Sequence, residues 1–159
     1  MINPQSMQNI AQVFSQLEIM EITVSGLYEI AAQKWPADAA LWSNMSKEEI
    51  KHAGYIKSLA AIVAKYPHNF VIGRPINIVA INSSIAWINK NIADIQSGSF
   101  DNNKMHFLAR DIEQSILEAK YAEFLKTDVL EYNKLIKIVF EETIHHRKMI
   151  DDKISTLKK

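Results

Sequence analysis

The 159-residue chain contains no cysteine. It therefore cannot form a disulfide, use a thiolate nucleophile, or hold an iron–sulfur cluster or a metal through sulfur ligands. Any metal ion would have to be bound by carboxylates and imidazoles. The N-terminal residues show neither the charged segment nor the long apolar segment of a signal peptide, so we expect a cytoplasmic protein.

Glycine and proline are also scarce, with four of each. Few helix breakers, together with abundant Ala, Ile, Lys, Glu and Leu, predict a mostly helical chain. The 18 basic and 18 acidic side chains cancel, so we expect no nucleic-acid-binding surface. No apolar run is long enough to span a membrane. Apolar residues make up 48% of the chain, which favours a single globular domain over residues 1–159.

Apolar periodicity and the positions of the helix breakers predict five helices. Pro36 and Pro67 end the first two helices, Pro75 begins the third, and Gly98 ends it. The predicted helices cover residues 4–34, 37–66, 75–97, 100–126 and 128–157.

The order of these helices predicts how they pack. Short loops join the first helix to the second and the fourth to the fifth, so each pair forms an antiparallel hairpin. A long connection that contains the third helix joins the two hairpins. The sequence therefore predicts an all-α fold, a four-helix bundle of two hairpins with a long crossover. The third helix would lie outside the four and cover an apolar surface or an oligomer contact.

Each predicted hairpin contains one Glu-x-x-His motif, formed by Glu49 with His52 and by Glu142 with His145. Residues three apart lie on one face of a helix, so each motif places a carboxylate beside an imidazole. Both motifs adjoin apolar stripes, which predicts that both pairs face the core. His146 lies about 100° further around the helix and is expected to face solvent.

The remaining two helices each offer a glutamate in an apolar setting. Glu21 has apolar neighbours on its helix face, whereas Glu18 has more polar ones, and Glu113 compares with Glu118 in the same way. The selected glutamates precede those of the motifs by 28 residues in one hairpin and 29 in the other. In an antiparallel hairpin, residues at equal distances from the turn lie at the same level along the helix axes. Four carboxylates and two imidazoles can therefore meet in one layer.

Four carboxylates buried together need compensating charge, because desolvation is costly and like charges force protonation. Two divalent cations would balance the four negative charges. Glutamates on two helices with Glu-x-x-His on the other two form the di-iron or di-manganese arrangement of four-helix bundles. Oxygen and imidazole donors suit iron or manganese, and zinc can also bind.

These residues resemble the ferritin-like superfamily, and within it the di-iron proteins of the rubrerythrin and bacterioferritin type. The resemblance rests on EEIKHA in the second helix, EETIHH in the fifth, Glu21 followed two turns later by Tyr28, and Glu113 followed by KYAEFLKT. It implies two bound iron ions and a reaction with dioxygen or peroxide. The implied metal ligands are Glu21, Glu49, His52, Glu113, Glu142 and His145.

The sequence departs from this family in three respects. Without cysteine there is no rubredoxin-like electron-transfer domain. Ile116 occupies the place where rubrerythrins have a further glutamate, so the site resembles the plainer six-ligand form. Both hairpins are about one turn shorter than usual, which argues against a ferritin cage.

Three functions are open at this point. The first is a non-haem di-iron oxidoreductase that reduces peroxide or dioxygen, or oxidises Fe(II), with an external electron donor. The second is a non-catalytic bundle for metal binding or protein interaction, and the third is iron storage. The isoleucine stripe of the third helix favours self-association, with a dimer as the simplest form.

Two further residues have alternative roles. Tyr28 is either a radical trap or a hydrogen-bonded core residue, and His106 either assists the ligands or lies at the end of the bundle.

Overall fold

The computed structural model describes residues 2–157, and over this range the chain is mostly helical, with one small antiparallel sheet. The all-α prediction is therefore confirmed. The helices are α1 (Pro4–Lys34), α2 (Ala39–Lys65), α3 (Ile78–Gln96), α4 (Asn102–Glu118) and α5 (Leu130–Leu157), and the strands are β1 (Phe70–Ile72) and β2 (Leu125–Thr127).

Side-chain caps define where three of the helices begin. The Asn3 side chain accepts a hydrogen bond from the backbone at the start of α1, Asn77 does so for α3, and Asp101 does so for α4. Such caps satisfy backbone N–H groups that have no partner within the helix. The predicted third and fourth helices start at Pro75 and Phe100. Because of these caps, α3 begins three residues after Pro75, and α4 begins two residues after Phe100.

The prediction that the fourth helix continues to Lys126 is wrong. Helix α4 ends at Glu118, Lys120 adopts a left-handed conformation with φ 52°, and a short 3-10 turn over Tyr121–Glu123 leads into β2. No glycine or proline occurs between Glu118 and Lys126, so the sequence shows no breaker at this point. The tertiary pairing of β2 with β1 overrides the local helical preference.

The small sheet connects the crossover to the α4–α5 connection. Phe70 pairs with Thr127 and Ile72 pairs with Leu125. The next residue, Gly73, donates its backbone N–H to the Phe124 carbonyl at 2.8 Å. Only glycine fits here, because a Cβ atom would overlap a neighbouring backbone oxygen.

The two predicted hairpins are both present as packed helix pairs. Helix α1 packs along α2, α4 packs along α5, and α2 also contacts α5. Helix α3 packs along α1, where Ile81, Ile88 and Ile95 are buried. Of the two roles expected for the third helix, an apolar surface or an oligomer contact, these contacts show the first. Within residues 2–157, no helix combines the length and the apolar character needed to cross a lipid bilayer.

Two apolar clusters form the core, and a polar layer separates them. Along α1 the first cluster ends at Met20 and the second begins at Val24, with Glu21 between them. Along α2 the second cluster includes Met45 and the first resumes at Ile56. The interval between them on α2 contains the predicted motif. The polar layer therefore lies inside the protein, between two apolar regions.

Candidate metal centre

Five ionisable side chains from four helices meet in the polar layer, and each is at most 3% exposed. They come from α1, α2, α4 and α5, as the sequence predicted. The prediction that Glu21, Glu49, His52 and Glu113 face the core is confirmed, and Glu142 lies at the rim with its side chain 30% exposed. The five buried side chains are Glu21, Glu49, His52, Glu113 and His146.

Glu49 lies at the centre of the layer, between two imidazoles. Its Oε1 is 2.8 Å from His146 Nδ1, and its Oε2 is 3.2 Å from His52 Nδ1. The other ring nitrogen of His52, Nε2, is 2.8 Å from Oε2 of Glu142. The two imidazole rings stack with their centroids 5.3 Å apart. The Glu49 carboxylate therefore contacts both imidazoles, one with each of its oxygen atoms.

The expectation that His145 faces the core and His146 faces solvent is wrong, because the structure has the reverse arrangement. His145 is exposed, whereas His146 is 3% exposed. The buried face of α5 includes Val139, Thr143, His146 and Ile150, which follow one another at intervals of four, three and four residues. This helical periodicity was present in the sequence and favours His146. The Glu-x-x-His spacing drew attention to the wrong one of two adjacent histidines.

A tyrosine holds the carboxylate contributed by α4. The hydroxyl of Tyr28 donates a hydrogen bond to Oε1 of Glu113 at 2.6 Å, and both side chains are buried. Burial, and next the negative charge of Glu113, raise the pKa of Tyr28 well above its usual value. Tyr28 is thus a hydrogen-bonded core residue that orients a candidate ligand.

Sequence reasoning missed a second tyrosine near the layer. Tyr121 follows the early end of α4, and its hydroxyl is 4.0 Å from the sulfur of Met20. Burial and the Glu21 carboxylate raise the pKa of Tyr121 to about 12. No local sequence signal indicates this proximity, because it depends on the unexpected end of the helix.

The layer contains carboxyl groups with opposite pKa shifts. Burial, and then the negative charge of Glu49, raise the pKa of both Glu21 and Glu113 well above 4.5. Burial alone would raise the pKa of Glu49 too, but the imidazoles of His146 and His52 lower it overall. Burial would lower the pKa of His52, but the carboxylates of Glu49 and Glu142 raise it. Without a cation, protons therefore reside on the outer carboxyl groups and on imidazole rather than on Glu49.

Several potential ligand atoms in the layer are buried without a hydrogen bond. These atoms are Glu21 Oε2, Glu49 Oε1, His52 Nδ1 and His146 Nδ1. The last atom lies 2.8 Å from Oε1 of Glu49, at ion-pair distance, without forming a hydrogen bond. Leaving such groups unsatisfied costs about 1–3 kcal/mol each. A cation among the Glu49, His52 and His146 atoms would satisfy these three residues together.

The spacing of these atoms suits a metal ion. One ligand atom each from Glu49, His52 and His146 lie within 4.8 Å of one another. Metal–nitrogen and metal–oxygen bonds of about 2.0–2.2 Å bring ligand atoms to similar separations. Glu113 adjoins this group, because its Oε1 lies 3.9 Å from His146 Nδ1. The charge of Glu49 raises the pKa of both the Glu21 and the Glu113 carboxyl groups.

His106 does not belong to this layer. It is fully buried, but its Nε2 lies 3.5 Å from Oδ2 of Asp38, at the end of the protein where α1 turns into α2. Of the two alternatives for this residue, the position at the end of the helices is the observed one.

Comparison with protein-family models, with curated proteins and with solved structures finds no match to this chain. The function of the polar layer is therefore inferred from its own geometry and chemistry.

Proposed function

We propose that the chain is a ferritin-like four-helix bundle that binds two metal ions, preferably iron, in its polar layer. Helices α1, α2, α4 and α5 form the bundle, and α3 is an additional helix in the crossover. One observation carries the proposal: Glu49, His52 and His146 bring buried ligand atoms together without satisfying them by hydrogen bonds. Two further buried carboxylates, Glu21 and Glu113, supply the negative charge that a second cation needs.

The available side chains fit such a metal pair. Carboxylate oxygens and imidazole nitrogens suit iron and manganese, and no cysteine competes. Two divalent cations would replace the protons that the buried carboxyl groups otherwise retain. His146 takes the place of the exposed His145. The proposed ligands are Glu21, Glu49, His52, Glu113, Glu142 and His146.

The activity we infer is that of a non-haem di-iron oxidoreductase, which reduces peroxide or dioxygen or oxidises Fe(II). An iron pair would supply the redox chemistry, because each ion changes charge by one electron. The protein contributes position and exclusion of water: Tyr28 holds Glu113, and apolar clusters close the layer on both sides. Glu142 is the one proposed ligand whose side chain is 30% exposed, so a small substrate would enter beside it.

The burial of the layer also supports a second candidate function, a bundle that binds metal without catalysis. Five of the six proposed ligands are at most 3% exposed, which suits a closed structural metal site. Metal binding and redox activity therefore need separate experiments.

The adjacent histidines of α5 provide a matched test of metal binding. After anaerobic loading with Fe(II), we expect about two iron ions per chain. His146→Ala should reduce this number strongly because it removes a buried ligand, whereas His145→Ala should leave it unchanged. Iron analysis after gel filtration measures both. No bound iron in the unmodified protein, or equal loss in the two variants, would contradict the proposed site.

Oxidation of the loaded protein distinguishes the enzyme from the passive site. Mixing the ferrous protein with hydrogen peroxide should produce the near-ultraviolet absorption of oxo-bridged ferric iron. Glu113→Ala should abolish this absorption, whereas Glu118→Ala should not, because Glu118 is exposed and pairs only with Gln114 on its own helix. Two bound iron ions that do not oxidise in the unmodified protein would favour the non-catalytic function.

A further inference from the structure

A second group of buried ligand atoms lies outside the polar layer, at the end of the protein where α1 turns into α2. His106 of α4 is 0% exposed, and Asp38 of the turn is 7% exposed. The two side chains face each other, with His106 Nε2 3.5 Å from Asp38 Oδ2. Asn102, one turn before His106, donates a side-chain N–H to the same Asp38 oxygen at 2.6 Å. An imidazole, a carboxylate and an amide from two segments of the chain therefore meet in one place.

A hydrogen bond on the far side of the His106 ring determines which ring nitrogen carries the proton. His106 Nδ1 lies 2.7 Å from the backbone carbonyl oxygen of Asn102. A carbonyl oxygen only accepts hydrogen bonds, so Nδ1 is protonated and Nε2 of the neutral ring has a lone pair. Metal-binding histidines in proteins usually have this arrangement, in which the second ring nitrogen donates to an oxygen atom and thereby fixes the ring.

The lone pair of His106 Nε2 therefore faces another hydrogen-bond acceptor. Burial would raise the pKa of Asp38, but hydrogen bonds from Lys153 and Asn102 lower it overall, so this carboxyl group is ionised at neutral pH. Within residues 2–157, His106 Nε2 and Asn102 Oδ1 are both buried without a hydrogen-bond partner. Two facing acceptors repel each other unless a cation lies between them, and this cation is either a proton or a metal ion.

The distance between the two acceptors favours the metal ion. A charge-assisted N–H···O bond is about 2.7–2.9 Å long, which is shorter than the 3.5 Å between Nε2 and Oδ2. Bonds from zinc to imidazole nitrogen and to carboxylate oxygen are about 2.0–2.2 Å long, and at a tetrahedral angle they place the two ligand atoms about 3.4 Å apart. The observed separation therefore suits two ligands of one ion.

The neighbouring side chains leave room for such an ion to bind. Lys153 Nζ pairs with the other carboxylate oxygen of Asp38, Oδ1, at 2.7 Å, so Oδ2 is available to the ion. The Lys153 side chain is 37% exposed, and its long stem allows the charge to turn towards solvent when a cation binds. Rotation of the Asn102 amide group exchanges Nδ2 for Oδ1 beside Asp38, which supplies a third ligand.

We propose that Asp38, Asn102 and His106 form a mononuclear site for a divalent transition-metal ion, with zinc preferred. Three nitrogen and oxygen ligands and one solvent molecule complete the tetrahedral coordination of zinc, whereas the six ligands of the polar layer suit iron. The bound ion ties the α1–α2 turn to the start of α4. This site is independent of the proposed iron centre.

Zinc analysis of the full chain tests the site. After incubation with Zn²⁺ alone and gel filtration, His106→Gln should contain one zinc ion fewer per chain than the unmodified protein. His145→Gln is the matched control, because His145 is exposed, and it should lose none. Equal zinc content in His106→Gln and in the unmodified protein would overturn the site. If His106→Gln fails to fold, Asp38→Asn takes its place, because it keeps the size of the side chain and removes the charge.

A variant of the polar layer separates the two metal hypotheses. His146→Ala removes a buried ligand of the layer and should still bind one zinc ion through His106. Zinc that is lost completely in His146→Ala and unchanged in His106→Gln overturns the present site alone. Zinc that is lost in His106→Gln and unchanged in His146→Ala supports the present site and contradicts the proposed layer.

Fluorescence measures where the ion binds. The Trp42 ring lies 4.9 Å from the ring of His106, so Co²⁺, which quenches indole fluorescence, should reduce the emission of Trp42. The measurement uses His146→Ala, in which the polar layer has lost a ligand. The quenched component should disappear in the double variant with Trp42→Phe, and it should remain with Trp87→Phe, because Trp87 is 46% exposed on α3. Quenching that is the same in both double variants would place the ion elsewhere and overturn the proposal.

Discussion

Replacing Glu21 by glutamine should stabilise the metal-free protein and destabilise the metal-loaded protein. Glu21 is 2% exposed, and its Oε2 has no hydrogen-bond partner. Burial, the charge of Glu49 and the charge of Glu113 all raise the pKa of this carboxyl group. Glutamine has nearly the same shape and removes the ionisable group. The sign of the effect therefore depends on whether a cation is present.

The size of the effect follows from the cost of burying charge. Replacing buried ionic groups by neutral groups of similar volume often stabilises a protein, by up to about 4 kcal/mol. We expect Glu21→Gln to raise the free energy of unfolding by about 2 kcal/mol at neutral pH. The gain is below the maximum because the glutamine amide, like Oε2, would be buried without a hydrogen-bond partner. In a domain of this size, that corresponds to a rise of about 4–8 °C in the thermal midpoint.

The pH dependence gives the same prediction a second test. Below the usual carboxyl pKa of 4.5, Glu21 is protonated in both the folded and the unfolded chain, and its charge costs nothing. As pH rises from this value through the raised pKa of the folded state, the unfolded chain releases the proton first and the folded state loses relative stability. The advantage of glutamine should therefore be absent at acidic pH and largest at neutral pH. Calorimetry in the presence of a chelator measures it.

Metal should invert the order of stability. A ligand at a hundredfold excess over its dissociation constant stabilises the folded state by about 2.7 kcal/mol, and Glu21→Gln gains less because it lacks one metal ligand. With Fe(II) or Mn(II), the unmodified protein should therefore have the higher thermal midpoint. Glu18→Gln is the control, because Glu18 lies outside the buried layer. A lower midpoint for Glu21→Gln without metal, or the same rise in the control, would refute the reasoning.

Three further substitutions test the packing around the layer, each by urea denaturation of the metal-free protein. Gly73→Ala should destabilise the protein by more than about 1 kcal/mol, because the new Cβ would overlap the carbonyl oxygen of Glu123. Gly54→Ala should stabilise it by up to about 1 kcal/mol, because Gly54 lies in an exposed part of α2 with no atom within 4 Å of an added Cβ. Tyr28→Phe should destabilise it by about 1 kcal/mol, because the hydrogen bond to Glu113 is lost.

Most of the helical architecture was predictable because its signals are local. Pro4 and the Asn3 cap begin α1 at the expected residue, and Pro36 and Pro67 follow the ends of α1 and α2 closely. The predicted third helix starts three residues before α3, because Pro75 fits the first helical position, whereas the cap in the structure is Asn77. Caps and prolines act within one turn of the chain, so the sequence reveals them.

The end of α4 was not predictable from such signals. The segment that leaves the helix contains no glycine or proline, and Lys120 adopts a left-handed conformation that its residue type does not favour. This segment leads into β2, and the strand that pairs with β2, β1, lies more than fifty residues earlier in the chain. The hydrogen bonds and burial gained by this long-range pairing determine the local structure, and a local reading of the sequence does not include them.

The candidate site was predictable as a layer but not in every ligand. Glu21 and Glu113 were selected over Glu18 and Glu118 by the apolar residues on their helix faces, and the structure buries both selected residues. The same criterion, applied to α5, favours His146. The Glu-x-x-His spacing instead indicates His145, which is exposed. Burial periodicity is the better criterion, because a metal ligand must first face the core.

The early end of α4 also changes what surrounds the polar layer. Because the chain leaves the helix there, Tyr121 lies close enough to Glu21 for that carboxylate to raise the pKa of the phenol. Tyr28 occupies the corresponding position beside Glu113, and its pKa is raised as well. Both phenols therefore stay neutral at physiological pH, and neither adds negative charge to the layer. With two neutral phenols and an apolar core around them, the buried carboxyl groups are balanced only by bound protons, by the imidazoles or by added cations. A cation that displaces these protons is the condition that favours metal binding.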